Sequence, residues 1–199
     1  MKHLNRRLLL VLASLIVLAV PARAYEDYLF NFSIKGPKGW LAMPTASVPG
    51  TYRFGWTSPE WGMPKARNVW GSTISVFVQD TEGHTAQDLL EKNVAVISGK
   101  TEVKPDPRAN LRVVKQQTIT VDGNPGFVME VLGNGTGFAI SVPADPKAKN
   151  PFKMVPTRQR WFCVVKGKNL IGVLSTCPDE LYKKYAPTFT ATEATLKVR

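Results

Sequence analysis

The chain is poor in the residues that usually build a reaction centre. Of its 199 residues only two are cysteine and two histidine. Cys163 and Cys177 lack the second thiol pair that a structural zinc site would use, and His84 is the one histidine beyond the first few residues. A hydrolase or transferase would therefore have to be built around His84, which follows Gly83 just ahead of a helix-start signal and so reads as a loop residue. Close acid pairs are few. Asp80 with Glu82, and Asp179 with Glu180, stand where turns and helix starts already account for them. Gly99-Lys100-Thr101 ends like a phosphate-binding loop, but the glycine needed five residues earlier is Val94, so a cradle of amides cannot form. A membrane-crossing stretch is missing as well: the apolar run Leu8 to Val20 stops at Pro21 and Arg23, short of the roughly twenty residues a span needs.

What is present begins at the N-terminus. Lys2, Arg6 and Arg7 precede that apolar run, and Ala22-Arg23-Ala24 follows it as a small-x-small site, a pattern that predicts a secretory signal peptide over residues 1–24 and a single globular domain over 25–199. Export predicts a periplasmic or extracellular location. No cysteine stands at the new N-terminus to accept a lipid. The whole sequence carries 26 basic and 15 acidic residues; loss of Lys2, Arg6, Arg7 and Arg23 takes the net charge from +11 to +7. A basic exported domain favours an acidic protein or an anionic surface as partner, and export disfavours nucleic acid. No cofactor motif is present, and neither cofactor nor metal is expected.

Seven stretches rich in β-branched and aromatic residues read as strands: 31–35, 52–57, 72–79, 111–121, 126–132, 158–166 and 169–176. Asp122-Gly123 and Gly167-Lys168 are placed to turn tight antiparallel hairpins. The second hairpin sets Cys163 opposite Gly172 and leaves Cys177 several residues further on. At about 3.3 Å per residue that exceeds disulfide reach unless the chain curls back at Pro178, so an oxidising compartment leaves both the bridged and the free state open. One helix runs from a Thr85 cap, with Asp88 in its first turn, to Gly99, and sets Leu90, Val94 and Ile97 on one stripe. A second follows Pro178, anchored by Leu181 and Tyr185, with Pro187 opening a further turn through Phe189 and Leu196. Strand 160–165 and its partner are apolar on both faces, and such strands must be covered on both. The fold class is therefore α+β, an antiparallel β-sheet flanked by helices on both faces, with a curved β-barrel as the alternative.

The order of these parts carries a resemblance. A strand ending in Gly39-Trp40, a central helix, the hairpin at Asp122-Gly123-Asn124-Pro125-Gly126, the strand pair 158–176, then Cys177-Pro178 and a helix with Tyr185-Ala186-Pro187-Thr188-Phe189 is similar to the PsbP-like superfamily, including its exported bacterial DcrB-like members. The resemblance implies a PsbP-like α/β/α sandwich over most of residues 28–198, used for binding and assembly rather than catalysis. Residues 134–157 and the Trp-rich stretch 54–70 depart from its pattern.

Two surface segments are the candidate partner-binding sites. Trp56, Trp61 and Trp70 with Arg67 place aromatic rings beside cations, suited to stacking on a ligand or anchoring a partner. Lys147, Lys149 and Lys153 with Phe152 form a Lys-rich connection suited to an anionic surface. The expected function is an exported, non-catalytic binding or assembly module of the cell envelope. An envelope hydrolase or transferase using His84, and a small-ligand carrier with a pocket between sheet and helix, are the alternatives.

Overall fold

The computed structural model describes residues 24–43, 52–59, 71–102, 104–134, 142–143, 152–153 and 155–199. Its main sheet has seven strands, all neighbours antiparallel: β3 (Leu41–Met43), β4 (Tyr52–Thr57), β5 (Thr73–Asp80), β11 (Asn169–Pro178), β10 (Pro156–Lys166), β7 (Asn124–Asn134) and β6 (Arg112–Val121), in that spatial order. A smaller sheet joins β1 (Ala24–Asp27) and β12 (Lys197–Val198) to either side of β2 (Phe32–Lys35). A two-residue ladder pairs β8 (Val142–Pro143) with β9 (Phe152–Lys153). The main sheet is open, with β3 and β6 at its edges among the described residues, so the barrel alternative does not hold.

Local chemistry sets the hairpins. Asp122 and Gly123 both take positive φ, 48° and 78°, the paired left-handed turn whose twist matches two antiparallel strands, and Val121 pairs with Asn124 across it. Gly167 at φ 56° turns β10 into β11, and Cys163 lies opposite Gly172 as the spacing predicts. Gly172 has a second reason to be glycine: a Cβ there would meet the Phe77 ring.

Alternate residues of the central strands feed two clusters. Ile74, Val76 and Val78 of β5 with Ile171 and Val173 of β11 join one, together with Phe32, Ile34, Leu196 and Val198. Phe77 of β5 with Leu170 and Leu174 of β11 joins the other, with Phe127, Met129 and Val131 of β7. Helix α1 (Ala86–Ile97) brings Ala86 and Leu90 to the second cluster, with Val94 and Ile97 packed against it. Its start is a capping box: the Thr85 hydroxyl accepts from the Asp88 amide at 3.2 Å, and Asp88 accepts from the Thr85 amide at 2.9 Å, an arrangement whose loss typically costs about 1 kcal/mol.

Helix α2 (Tyr182–Glu193) brings Tyr185 and Phe189 to the first cluster and follows a short 3-10 turn, Asp179–Leu181. It also corrects an expectation. Pro187 does not open a new turn; the helix runs through it. The amide that proline lacks would have bonded the Lys183 carbonyl; both residues are on the exposed side of the helix, while Tyr185 and Phe189 hold the other side in the core.

Candidate functional site

Trp56 departs from the expected exposed platform. It lies in β4 between Ala42 and Ile74, is only 4% exposed, and meets Phe54 edge-on with ring centroids 5.1 Å apart. Its indole packs on Gly36, where a Cβ would collide with it. Trp61, Arg67, Trp70, Lys147 and Lys149 lie outside the described residues. Phe152 and Lys153 form β9, in register with Pro143 and Val142.

His84 sits half-buried ahead of α1, its amide donating to the Thr81 carbonyl at 2.9 Å. It lines a groove of about 750 Å³ between the start of α1 and the β6–β7 hairpin, with Thr85, Gln87, Thr118, Thr120 and Val165. The nearest carboxylate, Asp88, is taken up by the Thr85 hydroxyl at 2.7 Å and the Thr85 amide at 2.9 Å as part of the helix cap. The acid pairs are engaged locally: Asp80 accepts from the Glu82 amide at 2.8 Å and Asp179 from Arg158 at 2.8 Å. Among the described residues no three His, Cys, Asp or Glu side chains gather to hold a metal ion.

The strongest electrostatic feature lies under α2, and the sequence reading did not assemble it. Arg160 of β10 contacts Glu193 of α2 through Nε and Nη2, each at 2.8 Å, and Glu130 of β7 through Nη1 at 2.8 Å. All three residues are less than a tenth exposed. Arg158, two residues away on the same face, lies 3.6 Å from Glu130, bonds Asp179 at 2.8 Å, and stands 4.5 Å over the Tyr182 ring. Burial disfavours charge on Arg160, but Glu193 and Glu130 outweigh it and hold the guanidinium protonated more firmly than usual. Burial raises Glu193 above the ordinary glutamate range against the pull of Arg160. Tyr182 is raised by burial and by its hydrogen bond to Glu130. These partners satisfy one another, so the cluster is a fastener between β7, β10 and α2. Its signal in the sequence was Glu130 amid Phe127-Val128-Met129-Glu130-Val131-Leu132, since a carboxylate inside an apolar strand requires a buried cation.

Both cysteines are free and buried, and they belong to different clusters. Cys177 pairs with Arg158, five positions along β10 from Cys163, so the chain does not curl back and the possible bridge is not made. Burial is the main cause that lifts both thiols, Cys177 to about 12. Neither is a nucleophile near neutral pH.

No family model matches the sequence, and no curated protein matches it. Solved structures do. Cyanobacterial PsbP (CyanoP) from Synechocystis sp. PCC 6803 aligns with TM-score 0.58 at 10% identity, over 91% of this chain and 95% of that one. PA94 of Pseudomonas aeruginosa, a protein of unknown function, aligns with TM-score 0.55 at 10% identity, over 89% and 96%. The Ran-binding protein Mog1p of Saccharomyces cerevisiae aligns with TM-score 0.52 at 12% identity, over 88% and 94%. The chain has a PsbP-like fold. At these identities the likeness is one of fold alone.

Proposed function

We propose that the protein is an exported, non-catalytic binding or assembly module of the cell envelope, read as residues 25–199 folded in one helix–sheet–helix domain after removal of a signal peptide, 1–24. The observation that carries the reading is the pattern of the first residues: Lys2, Arg6 and Arg7 precede an apolar run, Leu8 to Val20, that ends in the small-x-small site Ala22-Arg23-Ala24. Among the described residues no helix is long and apolar enough to cross a membrane. A binding role is supported by the fold shared with Mog1p, a protein named for binding Ran, and by ionisable groups that are spent on one another rather than aimed into the groove.

In this reading Trp61, Arg67 and Trp70, with Lys147, Lys149 and Lys153, engage a protein partner or an anionic surface in the periplasm or outside the cell. Crosslinking and pull-down from the native envelope is the test. Trp61→Ala, or Lys149→Glu with Lys153→Glu, is expected to deplete the captured partner while the melting temperature stays put. An unchanged capture profile from both variants removes the proposal, and turnover in a substrate screen that His84→Ala abolishes replaces it with the enzyme.

A further inference from the structure

The outer rim of the main sheet has one half that is protected and one half that is not. Natural sheets blunt their edges with charge, proline, bulges or cover, because an open edge templates further strands. In β6 such devices stand at the beginning: Arg112 and Lys115 are charged and exposed, and the register against β7 shifts between Val113 and Lys115. From residue 116 to 121 the strand reads Gln-Gln-Thr-Ile-Thr-Val, free of charge, proline and bulge and rich in strand-forming types. Among the described residues β6 pairs with β7 alone.

The hairpin fixes which backbone groups face outward. In a two-residue turn the flanking pair, here Val121 and Asn124, exchanges both backbone hydrogen bonds, and every second position repeats the pattern. Val121, Ile119 and Gln117 therefore spend their amides and carbonyls on β7. Thr120, Thr118 and Gln116 point theirs away from the sheet, and it fits this phase that Thr120 stands opposite Pro125, which has no amide to give. The side chains of Gln116, Thr118 and Thr120 are exposed, so nothing described overhangs the rim there.

We propose that two copies of this chain pair antiparallel through β6, joining their seven-stranded sheets edge to edge about a two-fold axis. An uncharged segment is its own partner in such a pairing, and two-fold closure removes the open edge from both copies at once. The outward phase allows the axis to pass through Thr118 or Ile119, which sets Gln116 or Thr118 against Thr120 of the second copy. Either register brings Lys115 of one copy within one residue position of Asp122 of the other. Both lie on the α2 side of the sheet: Lys115 is opposite Glu130, and Asp122 accepts from the amide of Val198, which packs in the cluster of α2. The Asp122 side chain is 37% exposed and its contact with Lys197 is a loose 3.8 Å, so it can take a second cation. On the other side the two grooves beside α1 meet across the junction and leave room for the Gln116, Thr118 and Thr120 side chains of both copies.

Sedimentation of the purified, natively processed protein over a range of concentrations tests the pairing, with site-directed oxidation as its control. A monomer–dimer equilibrium is expected. Thr118→Pro removes an outward amide and no bond to β7, and should weaken the dimer about tenfold or more with the melting temperature nearly unchanged. Thr118→Cys or Ile119→Cys should give a covalent dimer on mild oxidation, uncomplicated by the buried native thiols, whereas Lys92→Cys on the exposed side of α1 should not. A protein that stays monomeric at every concentration overturns the proposal. So does a dimer in which neither cysteine variant crosslinks, whether or not Thr118→Pro folds.

Discussion

Arg160 holds Glu193 in a two-pronged grip, Nε to Oε1 and Nη2 to Oε2 both at 2.8 Å, and so ties the middle of β10 to the last turn of α2. A planar fork against a carboxylate is the geometry in which a buried ion pair is strongest, and the one in which loss of a single member is most felt.

Arg160→Met leaves Glu193 and Glu130 buried without their shared cation and should destabilise the protein by about 3–5 kcal/mol. Adding Glu193→Leu removes one of the two stranded charges, leaving Glu130 with Arg158 at 3.6 Å, and should restore part of that loss. Denaturant unfolding of the single and double variants checks this; equal losses in both would show that the grip contributes nothing beyond packing.

Asp27 gives the pH dependence a sign. Burial works to raise its pKa, but bonds from Arg53 at 2.8 Å, Tyr25 at 3.0 Å and the Phe30 amide at 3.2 Å prevail and hold the carboxylate below its ordinary 3.8. Its stabilising contribution is thus full above 3.8 and fades as acid reaches the lower, folded value. Glu193, raised by burial, has the opposite slope, so the comparison must be made between variants. Asp27→Asn should melt lower than the parent at neutral pH and lose less on acidification. Thermal melts from neutral pH to below 3.8 read the difference, and parallel curves would contradict it.

Cys163 and Cys177 should both titrate as thiols, and only after unfolding. Their burial and raised pKa predict negligible reaction with an aromatic disulfide reagent under native conditions and release of two equivalents in denaturant. A non-reduced intact mass two hydrogen atoms lighter would show a bridge that the opposite placement of the two side chains forbids.

The parts of the fold legible in the sequence were those whose causes are local. Thr85 with Asp88 marks a helix start within four residues, Asp122-Gly123 a turn within two, and the both-sided apolar character of 160–165 calls for cover on each face. Other features depend on residues far apart. Glu130, Arg160 and Glu193 are separated by about thirty residues at each step; the β7–β10 register brings the first two together and the docking of α2 on the sheet brings the third. β12 has two residues and no periodicity to read, and it exists because Val198 finds Phe32. Pro187 does not open a turn because the anchoring of Tyr185 and Phe189 outweighs one missing amide, and Trp56, rightly placed in strand 52–57, is no exposed partner contact because its side of the strand faces the core, a matter of long-range packing. The remaining candidate partner contacts, Trp61, Arg67, Trp70, Lys147 and Lys149, lie outside the described residues, so their role rests on side-chain chemistry alone.

The Asp122 turn does more than reverse the chain. It receives the Val198 amide at 3.0 Å, while β12 pairs with β2 and the Arg199 amide reaches the Asn31 carbonyl at 2.9 Å. Phe32 thus gains its partner Val198 only by closing a very long loop, so this small sheet is expected to form after the local hairpins of the main one.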